Sequence, residues 1–221
     1  MIRFENLSKS FWVRGQRKQV IDGLNLTLPS GKSLALLGRN GVGKTTLLQI
    51  IAGILSADSG RIVTDGTISW PVGFSGSTHG QLTGAQNVRF VARVYGVDGD
   101  ELTDFVEHFA ELGNHFYMPI STYSSGMKAR LAFGMSMGIR FDTYLIDETT
   151  AVGDADFQRK SRAVFMERVK SSSAIMVSHQ TRQVRRFCSS GLVMTRGGHI
   201  EYFEDIDEAI ERHESLLLRG R

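Results

Sequence analysis

The stretch GRNGVGKTTL, residues 38–47, sets three glycines, a lysine and two threonines between two apolar runs, SLALL and LLQIIAGIL. The spacing Gly38-x-x-x-x-Gly43-Lys44-Thr45 is that of a phosphate loop. Glycine lets successive backbone N–H groups turn inward around phosphate oxygens, and a helix opening directly after them adds partial positive charge. In such a loop Lys44 reaches the terminal phosphates and the Thr45 hydroxyl can ligate Mg²⁺. Arg39, Asn40, Gly41 and Val42 supply the intervening backbone, and Thr46 follows on the helix. At average composition the bare pattern arises by chance in roughly one chain in a hundred. Here it also stands after an apolar strand and opens a helix, as the mechanism requires.

About a hundred residues later, TYLIDE delivers Asp147 and Glu148 at the end of another apolar strand. A phosphate-loop nucleotidase needs an acid to hold Mg²⁺, and Asp147 fits. Glu148 is then the base that polarises the attacking water. IMVSHQ places His179 at the end of a further strand, at the edge where ligands of open α/β sheets gather, and a histidine there can sense a γ-phosphate. YSSGMKARLAFGMSM opens a helix with Ser124, Ser125 and Gly126. These three can be simple capping residues. They can equally form a second phosphate-reading terminus, most usefully for a neighbouring subunit's nucleotide.

The elements that must position these residues follow from periodicity. VIDGLNLTL alternates Leu24, Leu26 and Leu28 as a strand does, SLALLG reads as a buried strand, and a helix follows from about Lys44 to Ile54. RIVTDGTISW carries further strand signal. From about 83 to 140 the pattern turns helical, with Thr83 and Gln86 in capping-box spacing. TYLID and SAIMVSH are strand-like around the helical DFQRKSRAVFMERVK, and the end reads as strand GLVMT, turn RGGH, strand IEYF and a helix from about Asp205, with Glu208 in capping-box spacing. Strands alternating with helices predict an α/β protein with a mainly parallel sheet covered on both faces and a helical block inserted at 83–140.

The totals bound the partners. A chain of 221 residues with 41% hydrophobic and 22% charged residues is of ordinary globular composition. A formal net charge of +3 gives no footprint for nucleic acid, and the short basic runs VRGQRK and RQVRR read as solvated tips or helix faces, with a minor contact to nucleotide or anionic lipid left open. The lone Cys188 excludes an internal disulfide, suits a reducing compartment and reads as a buried structural thiol. The methionines of GMSMG read as core packing. No secretory signal pattern is visible in MIRFENLSKSF, and the longest apolar run is the nine-residue LLQIIAGIL, itself interrupted by Gln49, so no direct membrane span is expected.

Phosphate loop, helical block, YSSGM, YLIDE, AVGD and the strand-end histidine, in that order, make the chain resemble the ATP-binding subunit of ABC transporters over essentially its whole length. The resemblance implies the P-loop NTPase ABC ATPase fold, with N-terminal antiparallel strands, a mainly parallel core sheet and an inserted helical lobe. It implies one ATPase domain over 1–221, with a helical subdomain at 83–140. It further implies a homodimer sandwiching two ATP with Mg²⁺, each nucleotide held between one chain's phosphate loop and the other's Ser124–Gly126. Asp154 would be the inter-subunit loop aspartate, and Phe11 the aromatic that stacks on adenine, with Trp12 adjacent as the other choice.

The departures from the general pattern form a pattern of their own. Tyr123, Ser125 and Met127 replace the Leu, first Gly and Gln of the usual signature, and ETTAVGD stands where relatives have a different loop. No glutamine occupies the expected Q-loop site near Phe74 and Ser75, which leaves Ser75, Ser77, His79 and Gln81 as candidates. ISWPVGF, LTGAQNVRF, YSSGMKARLAFGMSM and IDETTAVGDADFQRK are similar to the ATPases of Gram-negative group 2 capsular-polysaccharide exporters, with O-antigen and teichoic-acid exporters as related alternatives. Some O-antigen ATPases carry an added carbohydrate-binding domain, which is not expected in a chain ending at Arg221. This resemblance implies integral membrane permease subunits as partners, linked to periplasmic and outer-membrane export proteins. It also implies a peripheral location on the cytoplasmic face of the inner membrane.

Overall fold

A computed structural model describes residues 1–73, 76, 78–147, 154–178 and 180–218. The chain forms two compact units: Met1–Pro71, Phe141–Glu148 and Ser171–Arg221 make the first, and Val72–Arg140 with Thr149–Lys170 the second.

The first unit holds two sheets. Strands β1 (Ile2–Val13) and β2 (Gln16–Leu28) form a long antiparallel hairpin. Its two-residue turn puts Arg14 and Gly15 at φ 51° and 77°, the left-handed pair that matches the strand twist. The run 13–18 is accordingly an exposed tip. Strand β4 (Ser59–Thr64) pairs with the other edge of β1. The six-stranded sheet runs β5-β6-β7-β3-β8-β9, with β3 (Leu34–Gly38), β5 (Ile68–Pro71), β6 (Thr143–Ile146), β7 (Ser173–Met176), β8 (Ser190–Met194) and β9 (Ile200–Phe203). Every neighbour pair is parallel except β8 with β9. LALLG, TYLI, SAIM and SGLVM are buried at each position, as continuous apolar runs of a sheet covered on both faces must be.

Helix α1 (Lys44–Ile51) buries Leu47, Leu48, Ile50 and Ile51 among Leu34, Leu36, Leu192 and Met194. The other face of β8 presents Gly191, where an added Cβ would lie 2.5 Å from Ala209 of the last helix, α7 (Ile206–Leu218). Alternation along the strands therefore sets α1 and α7 on opposite faces. Helix α6 (Thr181–Phe187) carries RQVRR with only Val184 buried. Asp205 opens α7 by accepting from the amides of Asp207 and Glu208.

One sequence reading needs correction. The helix after the phosphate loop ends at Ile51, three residues earlier than expected, because Gly53 turns into the left-handed region (φ 71°) and the Ile54 amide donates back to the Gln49 carbonyl. The strands expected in RIVTDGTISW are β4 and β5, in two different sheets, since Thr64 folds its hydroxyl onto Gly66 and turns the chain between them.

Among its described residues the second unit is helical: α2 (Gly84–Tyr95), α3 (Gly99–Ala110), α4 (Ser125–Gly138) and α5 (Ala155–Lys170), with short 3₁₀ turns at Gly113–Tyr117 and Ile120–Thr122. Thr83 and Gln86 form the reciprocal capping box at the start of α2. α4 is buried without a break from Leu131 to Met137, so Met135 and Met137 are core residues. Gly138 lets it approach α3 closely, because a Cβ there would lie 2.4 Å from Leu102. Phe109 of α3 stacks on Phe133 and meets Phe157 of α5 edge-on at 5.2 Å between centroids.

Candidate functional site

The loop between β3 and α1 curls because its glycines permit it. Gly38 and Gly43 hold φ of 152° and 123°, and an added Cβ at Gly43 would lie 2.1 Å from Val20. Gly43 is the N-cap of α1, with no side-chain cap and no acid in the first turn, so the positive end of the helix faces the curl. Lys44 reaches back into that curl, its Nζ donating to the carbonyls of Gly38 at 2.8 Å and Arg39 at 3.2 Å. The Val42 amide closes the turn onto the Arg39 carbonyl at 3.2 Å.

β3 and β6 end at the same edge of the sheet, which brings α1 and Asp147 together. The Thr45 hydroxyl donates to Asp147 Oδ2 at 3.4 Å. Hydroxyl and carboxylate oxygens are the donors that Mg²⁺ prefers. Among the described residues no three His, Cys, Asp or Glu side chains gather as a metal cluster.

An open cleft of about 490 Å³ lies over this loop, with Phe11, Asn40, Gly41, Thr46 and Asp147 among its walls. Phe11 and Val13 line it, whereas Trp12, between them on β1, is 76% exposed and turned to the other face by strand alternation. Lys18 pairs with Phe11 across the hairpin and its Nζ donates to the Gly41 carbonyl at 2.8 Å. In the sequence this residue is the last of the basic run VRGQRK, for which a minor contact to nucleotide is one of the open readings. The cross-strand register is the signal that brings it to the loop.

In the second unit, Ser124 is the N-cap of α4, its Oγ accepting from the Met127 amide at 3.2 Å. Ser125 and Gly126 are exposed beside it, and α4 has no acid in its first turn. Asp154 caps α5 by accepting from the Phe157 amide at 2.9 Å, and its other oxygen accepts from Arg130 at 2.7 Å. The amide bond and the Arg130 charge hold the Asp154 carboxyl below its ordinary range. Arg130 was missed in the sequence, although it lies one helical turn beyond Gly126, with its guanidinium also 4.6 Å over the Phe157 ring.

The structure thus groups Phe11, the 38–46 loop and Asp147 in one unit, and Ser124–Gly126 with Asp154 in the other. Glu148, His179, Phe74, Ser75 and Ser77 lie outside the described residues. Of the remaining Q-loop candidates, His79 donates its amide to Asn87, and the Gln81 amide meets His79 Nδ1 at 3.3 Å.

A phosphate loop joining a central parallel strand to a helix defines the class, a P-loop α/β protein. Residues 21–151 match the ABC transporter family. Over 215 residues the chain is 50% identical to the polysialic acid transport ATP-binding protein KpsT of Escherichia coli, covering 96% of each. Over 216 residues it is 43% identical to the capsule polysaccharide export ATP-binding protein CtrD of Neisseria meningitidis serogroup B, covering 98% of this chain and 100% of that one. Among solved structures, the dimeric post-hydrolysis state of the ATP-binding cassette MJ0796 bound to ADP and Pi matches with a TM-score of 0.73 at 19% identity, over 93% of this chain and 99% of that one. At that identity the likeness bears on the fold, which is that of an ATP-binding cassette. The chain belongs to the ABC transporter family.

Proposed function

We propose that this chain is the ATP-hydrolysing subunit of an exporter that drives lipid-linked capsular polysaccharide across the inner membrane, working as a homodimer with two MgATP at its interface. The observation that carries the chemistry is the meeting of Lys44, Thr45 and Asp147 at one sheet edge over an open cleft. The cargo rests on near full-length identity to KpsT and CtrD, whose names state polysialic acid transport and capsule polysaccharide export.

In this reading the 38–43 amides and Lys44 bind the phosphates, Phe11 stacks on adenine, and Thr45 and Asp147 hold Mg²⁺. The bound ion supplies neutralisation of charge developing on the transferred phosphoryl group. Glu148 accepts the proton of the attacking water and His179 contacts the γ-phosphate. Ser124, Ser125 and Gly126 of the second copy complete the site from the other side. Charge-assisted hydrogen bonds of this kind contribute about 1.5–3 kcal/mol each. Several of them, made only while the γ-phosphate is present, switch a weak dimer to a closed one and back. Residues 1–221 then act as one nucleotide-binding domain, with the helices of 83–140 as its subdomain.

The partners in this reading are integral membrane permease subunits, linked to periplasmic and outer-membrane export proteins. The ATPase sits peripherally on the cytoplasmic face. That placement is supported by the likeness to exporter ATP-binding proteins; among the described residues no helix is long and apolar enough to cross a membrane. Measuring ATP turnover and sedimentation of Glu148→Gln tests the reading. The variant is expected to bind ATP, stop hydrolysing it and accumulate as a dimer. Turnover at the unsubstituted rate would refute the assigned base.

A further inference from the structure

Two segments far apart in sequence are sewn together just before α4. The Ser121 amide donates to the Gly80 carbonyl at 2.8 Å, the Ile120 amide donates to Leu82 at 3.0 Å, and Thr83 and Pro119 form an antiparallel bridge. Asn87, only 1% exposed, uses its whole amide group on the first segment. Its Nδ2 donates to the carbonyls of His79, Leu82 and Thr83, and its Oδ1 accepts from the His79 amide at 2.7 Å. Residues 79–83 are therefore a fixed loop, clamped from below by one buried side chain.

Tyr123, in the second segment, packs its phenol against Gly84 at the end of the first. It is 5% exposed, and its phenol donates to the His115 carbonyl at 2.6 Å. The space it fills exists because residue 84 is glycine: an added Cβ would lie 2.6 Å from the phenol oxygen and 2.8 Å from the Phe116 carbonyl. Gly84 is the first residue of α2 and needs no left-handed backbone, so what its missing side chain provides there is room. The residue directly after Tyr123 is Ser124, the N-cap of α4.

We infer that Tyr123 is the positioning residue of the Ser124–Gly126 turn, that Gly84 is glycine in order to admit its phenol, and that residues 79–84 and 119–126 therefore move as one piece. This rests on the proposed role of Ser124–Gly126 in reading the second copy's nucleotide. The Leu-Thr-Gly-x-x-Asn run of 82–87 and a tyrosine in the signature's first position are two halves of one contact.

The test uses the full chain carrying Gly84→Ala, Tyr123→Phe or both. Hydrogen exchange of peptides spanning 124–131 is read beside kcat and KM for ATP. Gly84→Ala is expected to speed exchange of the first turn of α4 and lower kcat at least tenfold, with KM within about twofold because the phosphate loop is untouched. Adding Tyr123→Phe, which removes one of the two clashing oxygens and leaves the Phe116 carbonyl, should restore part of both. Tyr123→Phe alone, which leaves the core volume intact and still reports if Gly84→Ala does not fold, should loosen the same turn and lower kcat several-fold. Unchanged exchange at 124–131 in Tyr123→Phe would overturn the inference. Loosened exchange with unchanged kcat would leave the positioning intact and instead count against Ser124–Gly126 as part of the nucleotide site.

Discussion

The Thr45 hydroxyl donates to Asp147 Oδ2 across 3.4 Å, joining the first turn of α1 to the end of β6, 102 positions away in the chain. If this pair holds Mg²⁺, removing either oxygen should raise the Mg²⁺ concentration needed for half-maximal hydrolysis. Asp147→Asn and Thr45→Val are each expected to lower ATP turnover at least a hundredfold at fixed Mg²⁺. ADP binding measured in EDTA should stay near the unsubstituted value. Loss of ADP binding in EDTA would point to a collapsed loop instead of a lost metal ligand.

Phe11 lines the cleft and Trp12 stands 76% exposed on the other face of β1. Stacking of an aromatic on a base is worth about 1–3 kcal/mol. Phe11→Ala should therefore weaken binding of a fluorescent ATP analogue by about one to two orders of magnitude, while Trp12→Ala leaves it within about twofold. The reverse order would move the adenine contact to Trp12.

Arg130 joins α4 to the start of α5 through Asp154 and the Phe157 ring. Arg130→Lys keeps the charge but loses the planar fork and its stacking, so it should lower thermal stability by less than Arg130→Ala. Paired with Asp154→Asn, Arg130→Ala should be less than additive. Because the folded Asp154 carboxyl titrates below its ordinary range, its contribution is complete above the unfolded carboxylate value near 4 and is lost as pH falls through the folded value. Acid unfolding of Asp154→Asn should accordingly show a shallower loss of stability below about pH 4.

Cys188 is buried, and burial alone pushes its thiol up to about 12. At pH 8 the native protein should give almost no reaction with iodoacetamide, and the same protein in denaturant should react fully at one site. Rapid labelling of the native protein would contradict the burial.

Much of this site is legible in the sequence because its chemistry constrains residue types at fixed spacing. The Gly-x-x-x-x-Gly-Lys-Thr spacing of 38–45 is what a phosphate loop requires, and Thr83 with Gln86 spells out its own cap. Strand β1 is not legible by alternation, because register shifts between Phe4 and Leu7 and again around Lys9 break the period, with Asn6 at φ 48° held by Asn25. Helix α4 is buried on all sides from Leu131 to Met137, so its helical spacing singles out no one core-facing stripe there. Lys18, Arg130 and the Gly84–Tyr123 contact depend on which segments the fold brings side by side, and local pattern carries no record of that.

The most direct measurement is of surface polysaccharide in cells whose only copy of this chain carries Lys44→Ala, stained alongside the cell interior. Loss of polymer from the surface with accumulation inside is the expected result, and it would identify the polymer served. Normal surface polymer with ATP hydrolysis abolished in the purified variant would contradict a role in export.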